Sequence, residues 1–193
     1  WVSKIAFRCG TKNVFTLNDD RTGSLLDRAA LMSDQHAVAQ RGDDDLAAIL
    51  YTSGTTGRSK GAMLTHGNLL ANARTLHGWW GWQPSDVLIH VLPVFHVHGL
   101  FVASHAALLA GAKTLMLPKF DAAQVLERLP RSTVMMGVPT YYTRLLAESA
   151  FDKARCRSVR LFISGSAPLL AETHREFEAR TGHRILERYG MSE

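Results

Sequence analysis

Residues 133–163 read TVMMGVPTYYTRLLAESAFDKARCRSVRLFI, and their spacing decides the fold. Residues 133–138 are an apolar run of strand length, the pattern of a strand covered on both faces. Residues 140–148 change to helix composition, and residues 159–163 return to an apolar strand. Strand, helix and strand in succession form the unit of a parallel sheet, because parallel neighbours need a long crossover between them.

The same alternation extends outward in both directions. Strands are expected at 46–51, 87–92, 114–117 and 184–186, and helices at 65–80, 99–109, 121–129 and 169–180. Thr65 suits a helix cap, Asp121 opens a helix, and Gly111 closes one. The expected class is α/β, a largely parallel sheet with helices on both faces. In such sheets ligands gather beyond the carboxyl ends of the strands. Upstream the patterning is weaker: 4–7 and 13–17 suit short strands, and 18–23 a turn. Asp43, Asp44 and Asp45 form a polar break. Residues 1–45 are therefore expected to be the end of a preceding subdomain plus a connector, and 46–193 an α/β core.

The 193 residues are 46% apolar and 20% charged, which excludes a disordered chain. The net charge of +5 is scattered along the sequence, so nucleic acid is not an expected partner. An uneven share of charge on a fragment and a polyanionic ligand both account for it. The longest apolar run, residues 99–112, has the length of a buried helix and carries His105, so no membrane association is expected. Cys9 and Cys156 lack CxxC spacing, which fits a reducing compartment and neither a disulfide framework nor a zinc site. Cytoplasm is the expected location, or the mitochondrion if a leader preceded Trp1. A start at Trp1 and an end inside a motif at Glu193 read as a fragment cut at both ends.

Beyond the first strong strand lies TSGTTGRSKG, residues 52–61. Its three glycines let the backbone approach a ligand closely, its hydroxyls supply donors, and Lys60 adds a point charge suited to phosphate. Lys60 precedes Gly61, so this is not a Walker A loop, which needs Gly-Lys-Ser/Thr.

YTSGTTGRSKG resembles the signature loop of the adenylate-forming superfamily of acyl- and aryl-CoA synthetases, luciferases and peptide adenylation domains. Ser59 stands where that pattern usually has Pro. GSAPL at 165–169 is similar to the superfamily's adenine-pocket turn, and ERYGMSE at 187–193 to the segment that packs on adenine and binds Mg²⁺. Ser192 replaces the usual Thr and keeps its hydroxyl. LPVFHVHGL at 92–100 is similar to the stretch lining the acyl pocket.

The resemblance implies part of the N-terminal domain of an acyl-CoA synthetase-like fold. It implies an enzyme that joins a carboxylic acid to AMP and passes the acyl group to coenzyme A, with ATP and Mg²⁺. ATP contacts are implied at Thr52, Ser53, Gly54, Thr55, Thr56, Gly57 and Lys60. Further nucleotide contacts are implied at Gly165, Ser166, Ala167, Pro168, Glu187, Tyr189, Gly190, Met191 and Ser192. Glu193 is the implied Mg²⁺ ligand, and Lys60, His96 and Glu193 the implied catalytic residues. His96, His98, Val138, Arg144 and Ser166 are the implied contacts to the acid.

His96 and His98, two apart, would face the same way in an extended segment. Three roles stay open for them: a metal pair, a core histidine bonded to backbone, and, by resemblance, part of the acyl site. Arg144 is either a solvated helix residue or a cation for the distal carboxylate of a diacid. MGVPTYYTRLL, HVHGLFVAS, LFISGSAPLLAETHREF and ILERYGMSE resemble malonyl-CoA synthetases more than fatty-acid, acetate or aryl ligases. Malonate, with methylmalonate beside it, is the expected acid. A short-chain or aryl ligase and a non-catalytic nucleotide-binding module are the alternatives. The superfamily's ribose-binding segment, hinge and C-terminal domain are not in these residues, so the 193-residue chain by itself is expected to be inactive.

Overall fold

A computed structural model describes residues 1–52 and 57–192. Two compact units divide the chain, Trp1–Gln40 and Arg41–Glu193. In the first, helix α1 (Val2–Arg8) and helix α2 (Ser24–Ala29) flank a turn in which Asp20 accepts two hydrogen bonds from Thr22. Residues 4–7 are thus helical, and 13–17 belong to no strand. Four apolar-leaning residues cannot distinguish the two periods, and Lys, Ala and Arg favour the helix.

The second unit opens with an antiparallel hairpin, β1 (Leu46–Thr52) and β2 (Lys60–Thr65). The strand expected at 46–51 forms, but its partner is β2 and not a strand of the parallel sheet. Helix α3 (His66–Trp79) follows directly. Thr65 caps it reciprocally with Asn68, each side chain accepting from the other's backbone N–H at 3.1 Å.

From Val87 onward the expected alternation holds. Strands β3 (Val87–His90), β4 (Lys113–Met116), β5 (Val134–Gly137), β6 (Leu161–Ser164) and β7 (Ile185–Glu187) pair in the order β4-β3-β5-β6-β7, every pair parallel. The crossovers carry α4 (Ser104–Ala110), α5 (Ala122–Arg128), α6 (Pro139–Leu146), the short α7 (Lys153–Cys156) and α8 (Ala171–Thr181). Asp121 caps α5 through Gln124 N–H at 2.9 Å, and Gly111, left-handed, ends α4.

Successive side chains of the central strands enter opposite cores. Val134, Met136, Leu161 and Ile163 face one, where Ala103, Ala106, Ala107 and Ala110 let α4 lie close to the sheet. Met135 and Phe162 face the other, against Tyr142, Leu145 and Phe177. The Tyr142 hydroxyl donates to Ile163 O at 2.5 Å, which satisfies the one polar atom of that aromatic cluster. No helix among the described residues is long and apolar enough to cross a membrane.

One ion pair ties the amino ends of three adjacent strands. Asp86, Thr133 and Arg160 each precede a strand: β3, β5 and β6. Asp86, 3% exposed, accepts from Thr133 Oγ1 at 2.7 Å, from Arg160 Nε at 2.9 Å and from Arg160 Nη2 at 2.5 Å. Arg160 also donates to Trp80 O and Gly81 O. Burial pushes the Asp86 carboxyl up, but bonds from Arg160, Thr133 and Gln83 outweigh it and hold the pKa below its usual value.

Arg160→Ala would leave a buried carboxylate without its cation, which costs about 3 kcal/mol. Chemical denaturation at pH 7 should show that loss. A carboxyl depressed by folding stabilises above its unfolded pKa and loses that contribution as pH falls. The gap between wild type and variant should therefore narrow below about pH 4. An unchanged denaturation midpoint would contradict the clamp.

Candidate functional site

All five parallel strands release their chains at one edge, where the segments after β3, β5, β6 and β7 meet. The chain leaving β3 passes through Val91, Leu92 and Pro93 into a single π-helical turn, His98–Ala103, that runs into α4. The helix expected at 99–109 is therefore irregular in its first half. Gly99 is required there, since a Cβ on it would lie 2.3 Å from Pro93 O. His90 pins the turn, its Nε2 standing 3.0 Å from Gly99 O and 3.1 Å from Ser104 Oγ. A carbonyl only accepts, so His90 carries its proton on Nε2. Wide turns of this kind recur at functional sites.

His98 is consequently buried, and its Nδ1 lies 3.2 Å from Ser166 Oγ. Ser166 follows β6 with φ of 71°, a left-handed conformation costly for a residue with a Cβ. Beside it, Gly165 faces both His98 and Arg188: a Cβ there would stand 3.0 Å from Arg188 Cγ and 3.2 Å from His98 Cε1. His98 Nε2 and Arg188 Nε are buried and have no hydrogen-bond partner among the described residues. Water or a ligand in the adjoining cavity is the available partner for both groups.

The cavity they line has a volume of about 430 Å³. His96, Val138, Ser166, Gly190, Met191 and Ser192 also border it. A second cavity of about 460 Å³ adjoins it, sharing Ser166, Arg188 and Gly190. Ala167, Pro168, Glu187 and Tyr189 complete its walls, and Tyr189, 90% exposed, presents a free ring face. Glu187 is a brace: Oε2 accepts from Leu169 N–H at 3.1 Å and Oε1 lies 3.0 Å from His174 Nε2. Those two bonds, the one to His174 first, hold its carboxyl below the usual range. Two cavities of similar volume thus adjoin, one walled by the Tyr189 ring face and the other by His98 and Arg188.

Three expectations change. His96 is exposed and His98 buried, because the bend and π turn rotate them apart; among the described residues no three His, Cys, Asp or Glu could hold a metal. Arg144 does not border the cavity. It is exposed on α6, its guanidinium 4.7 Å from the centre of the Phe120 ring. The cation at the cavity is Arg188, which the sequence displays inside ERYGMSE without marking its role; its place directly after a strand was the available signal. Finally, the motif at 52–61 is not all loop: Thr52 ends β1, and Lys60 and Gly61 open β2. Thr52 pairs with Lys60 across the hairpin and Gly57 has φ of 78°. Thr52, Gly57 and Lys60 border neither cavity. Ser53, Gly54, Thr55, Thr56 and Glu193 lie outside the described residues.

The parallel five-stranded sheet with helices on both faces is the fold of the N-terminal domain of acyl-CoA synthetase-like proteins, and the two adjoining cavities lie at its carboxyl edge. The family described as AMP-binding enzyme matches residues 8–193, and the chain belongs to it. Mitochondrial malonate–CoA ligase ACSF3 of Mus musculus is 44% identical over 163 residues, covering 76% of this chain and 28% of that protein. The crystal structure of ATP-bound MatB from Rhodopseudomonas palustris superposes with a TM-score of 0.95 at 57% identity, covering 100% of this chain and 38% of that one. A malonyl-CoA ligase ternary product complex with methylmalonyl-CoA and AMP bound gives 0.76 at 38% identity, covering 82% and 36%. The chain thus spans 28% of the length of the mouse relative.

Burial, then the nearby Arg188 and His90, pull the His98 pKa down to about 3. An imidazole lowered by folding binds its proton more readily in the unfolded chain, so stability falls as pH drops below about 6.5. Proton NMR should show the His98 ring unchanged from pH 5 to 8. A midpoint near the free value would mean that its pocket is open to water.

Proposed function

We propose that this chain supplies the ATP- and acid-binding core of a malonate–CoA ligase. Malonate displaces pyrophosphate from MgATP, and coenzyme A then displaces AMP to give malonyl-CoA. The observation that carries the substrate is Arg188, a half-buried cation with a free Nε beside a neutral imidazole, in a chamber sized for a small acid. The names of the relatives support the same acid.

Malonate has two carboxylates, and a ligase must activate one. Arg188 pairs with the distal group, in bidentate fashion where geometry allows, which leaves the proximal oxygen to attack the α-phosphorus. Neutral His98 adds no charge to compete for the reacting carboxylate, and Ser166 fixes its ring. A monocarboxylate leaves Arg188 unpaired, so the site rejects it by an uncompensated buried charge. Attack on phosphorus gathers charge on phosphate oxygens, where positioned donors contribute most. Thr52, Ser53, Gly54, Thr55, Thr56, Gly57 and Lys60 are proposed to hold the β- and γ-phosphates, and Glu193 the Mg²⁺ that enters with ATP; the resemblance of those motifs supports both. Tyr189 stacks on adenine against the wall formed by Gly165, Ala167 and Pro168. Coenzyme A thiol then adds to the carbonyl carbon of the malonyl-adenylate, loses its proton, and expels AMP. No covalent bond to the protein is needed.

The test is pyrophosphate release by the protein at its full natural length, with malonate, methylmalonate, acetate, benzoate and octanoate. Malonate should lead, and Arg188→Ala should lower its kcat/KM about 100-fold or more while acetate changes little. Arg144→Ala should stay within about threefold on malonate, as an exposed residue would. Another leading acid would discard malonate and keep the chemistry; malonate use unaffected by Arg188→Ala would remove its anchor.

A further inference from the structure

A third cavity of about 510 Å³ opens beyond the carboxyl ends of β3 and β4. It is lined by Val94, Phe95, Met116, Leu117 and Phe120, with Lys119 its one charged lining residue. This apolar chamber shares Leu92, Pro93 and Tyr141 with the polar cavity that holds Arg188 and His98. Between the two chambers stands one large ring, Tyr141, which lines both.

We propose that Tyr141, stacked on Phe120, is the wall that confines the acid to the polar chamber and closes the apolar one to it. This rests on the acid-activating reading above and adds the residue that limits acid length. The ring is fixed from several sides. Its plane lies 13° from that of Phe120 with centroids 4.1 Å apart, and its hydroxyl donates to Val91 O at 3.5 Å. Gly137 makes the room: a Cβ there would stand 3.2 Å from Tyr141 Cδ2. Arg144, lying over the Phe120 ring, braces the other member of the stack. That contact gives Arg144 a place in specificity without any contact to the acid.

The physics of exclusion is simple. An acid with an apolar tail gains affinity with each methylene it buries, and the apolar chamber would bury several. With Tyr141 in place, the tail meets an aromatic edge and the charged end of the cavity instead. Truncating the ring joins the chambers. Apolar acids should then gain, while Arg188 still selects malonate over acetate.

The experiment compares wild type, Tyr141→Ala, Tyr141→Leu and Tyr141→Phe at full natural length, with malonate, butyrate, hexanoate and octanoate in pyrophosphate release. Tyr141→Ala should raise kcat/KM for hexanoate and octanoate about tenfold or more over wild type, Tyr141→Leu less, and Tyr141→Phe not at all, since it keeps the ring. Binding of hexanoyl- and malonyl-sulfamoyl adenosine, stable mimics of the two adenylates, supplies a readout without turnover. Tyr141→Ala should bind the hexanoyl compound about tenfold tighter than wild type does. The proposal is overturned if Tyr141→Ala, or Tyr141→Leu should the alanine variant not fold, binds and uses the longer acids no better than wild type. A wild type that prefers another acid removes the malonate reading only, because the wall is judged by the ratio of variant to wild type on the same acid.

Discussion

A sheet buried on both faces must pair its backbone groups within itself, and when all its strands run parallel every chain leaves at the same edge. That constraint governs this molecule. At one edge the starts of three strands are tied by the Asp86–Arg160 pair, with Thr133 bonded between them. At the other the chain departs from regular geometry, in the π turn and the left-handed Ser166 of the candidate site. The edge that is fixed lets the other be irregular.

The irregular features support one another. The π turn sinks His98 into the floor, the left-handed Ser166 brings its hydroxyl to that imidazole, and Gly165 leaves room for the Arg188 side chain. Burial lowers the pKa values of both His98 and Arg188, each less willing to be charged there than in water. Arginine remains charged regardless, whereas histidine becomes neutral. Among the described lining residues Arg188 is then the one permanent positive charge, and the proposed carboxylate site rests on it.

The regular parts of this architecture are legible in the sequence. Val134, Met135 and Met136 announce a strand buried on both sides, and Thr65, Asp121 and Gly111 mark helix ends through side-chain chemistry that depends on few neighbours. Ser166, Ala167 and Pro168 of GSAPL and residues 187–192 of ERYGMSE line adjoining chambers. What stays hidden is set by tertiary contacts. Strand β2 is obscured because Lys60 and Gly61 read as loop, and α1 because four residues carry no period. The histidines of FHVH separate only because a π turn follows, and nothing local in the sequence dictates one. Arg144 and Arg188 are equally plausible cations by type. Only the packing shows that one lies over Phe120 at the surface while the other reaches the cavity.

The central claim is that Arg188 receives the distal carboxylate of malonate. A crystal structure of the protein with malonyl-sulfamoyl adenosine bound tests it most directly. The account predicts the free carboxylate within hydrogen-bonding distance of the Arg188 guanidinium, with the sulfamate end beside Ser166 and the adenine against Tyr189. A free carboxylate turned to solvent or paired with Arg144 would contradict it.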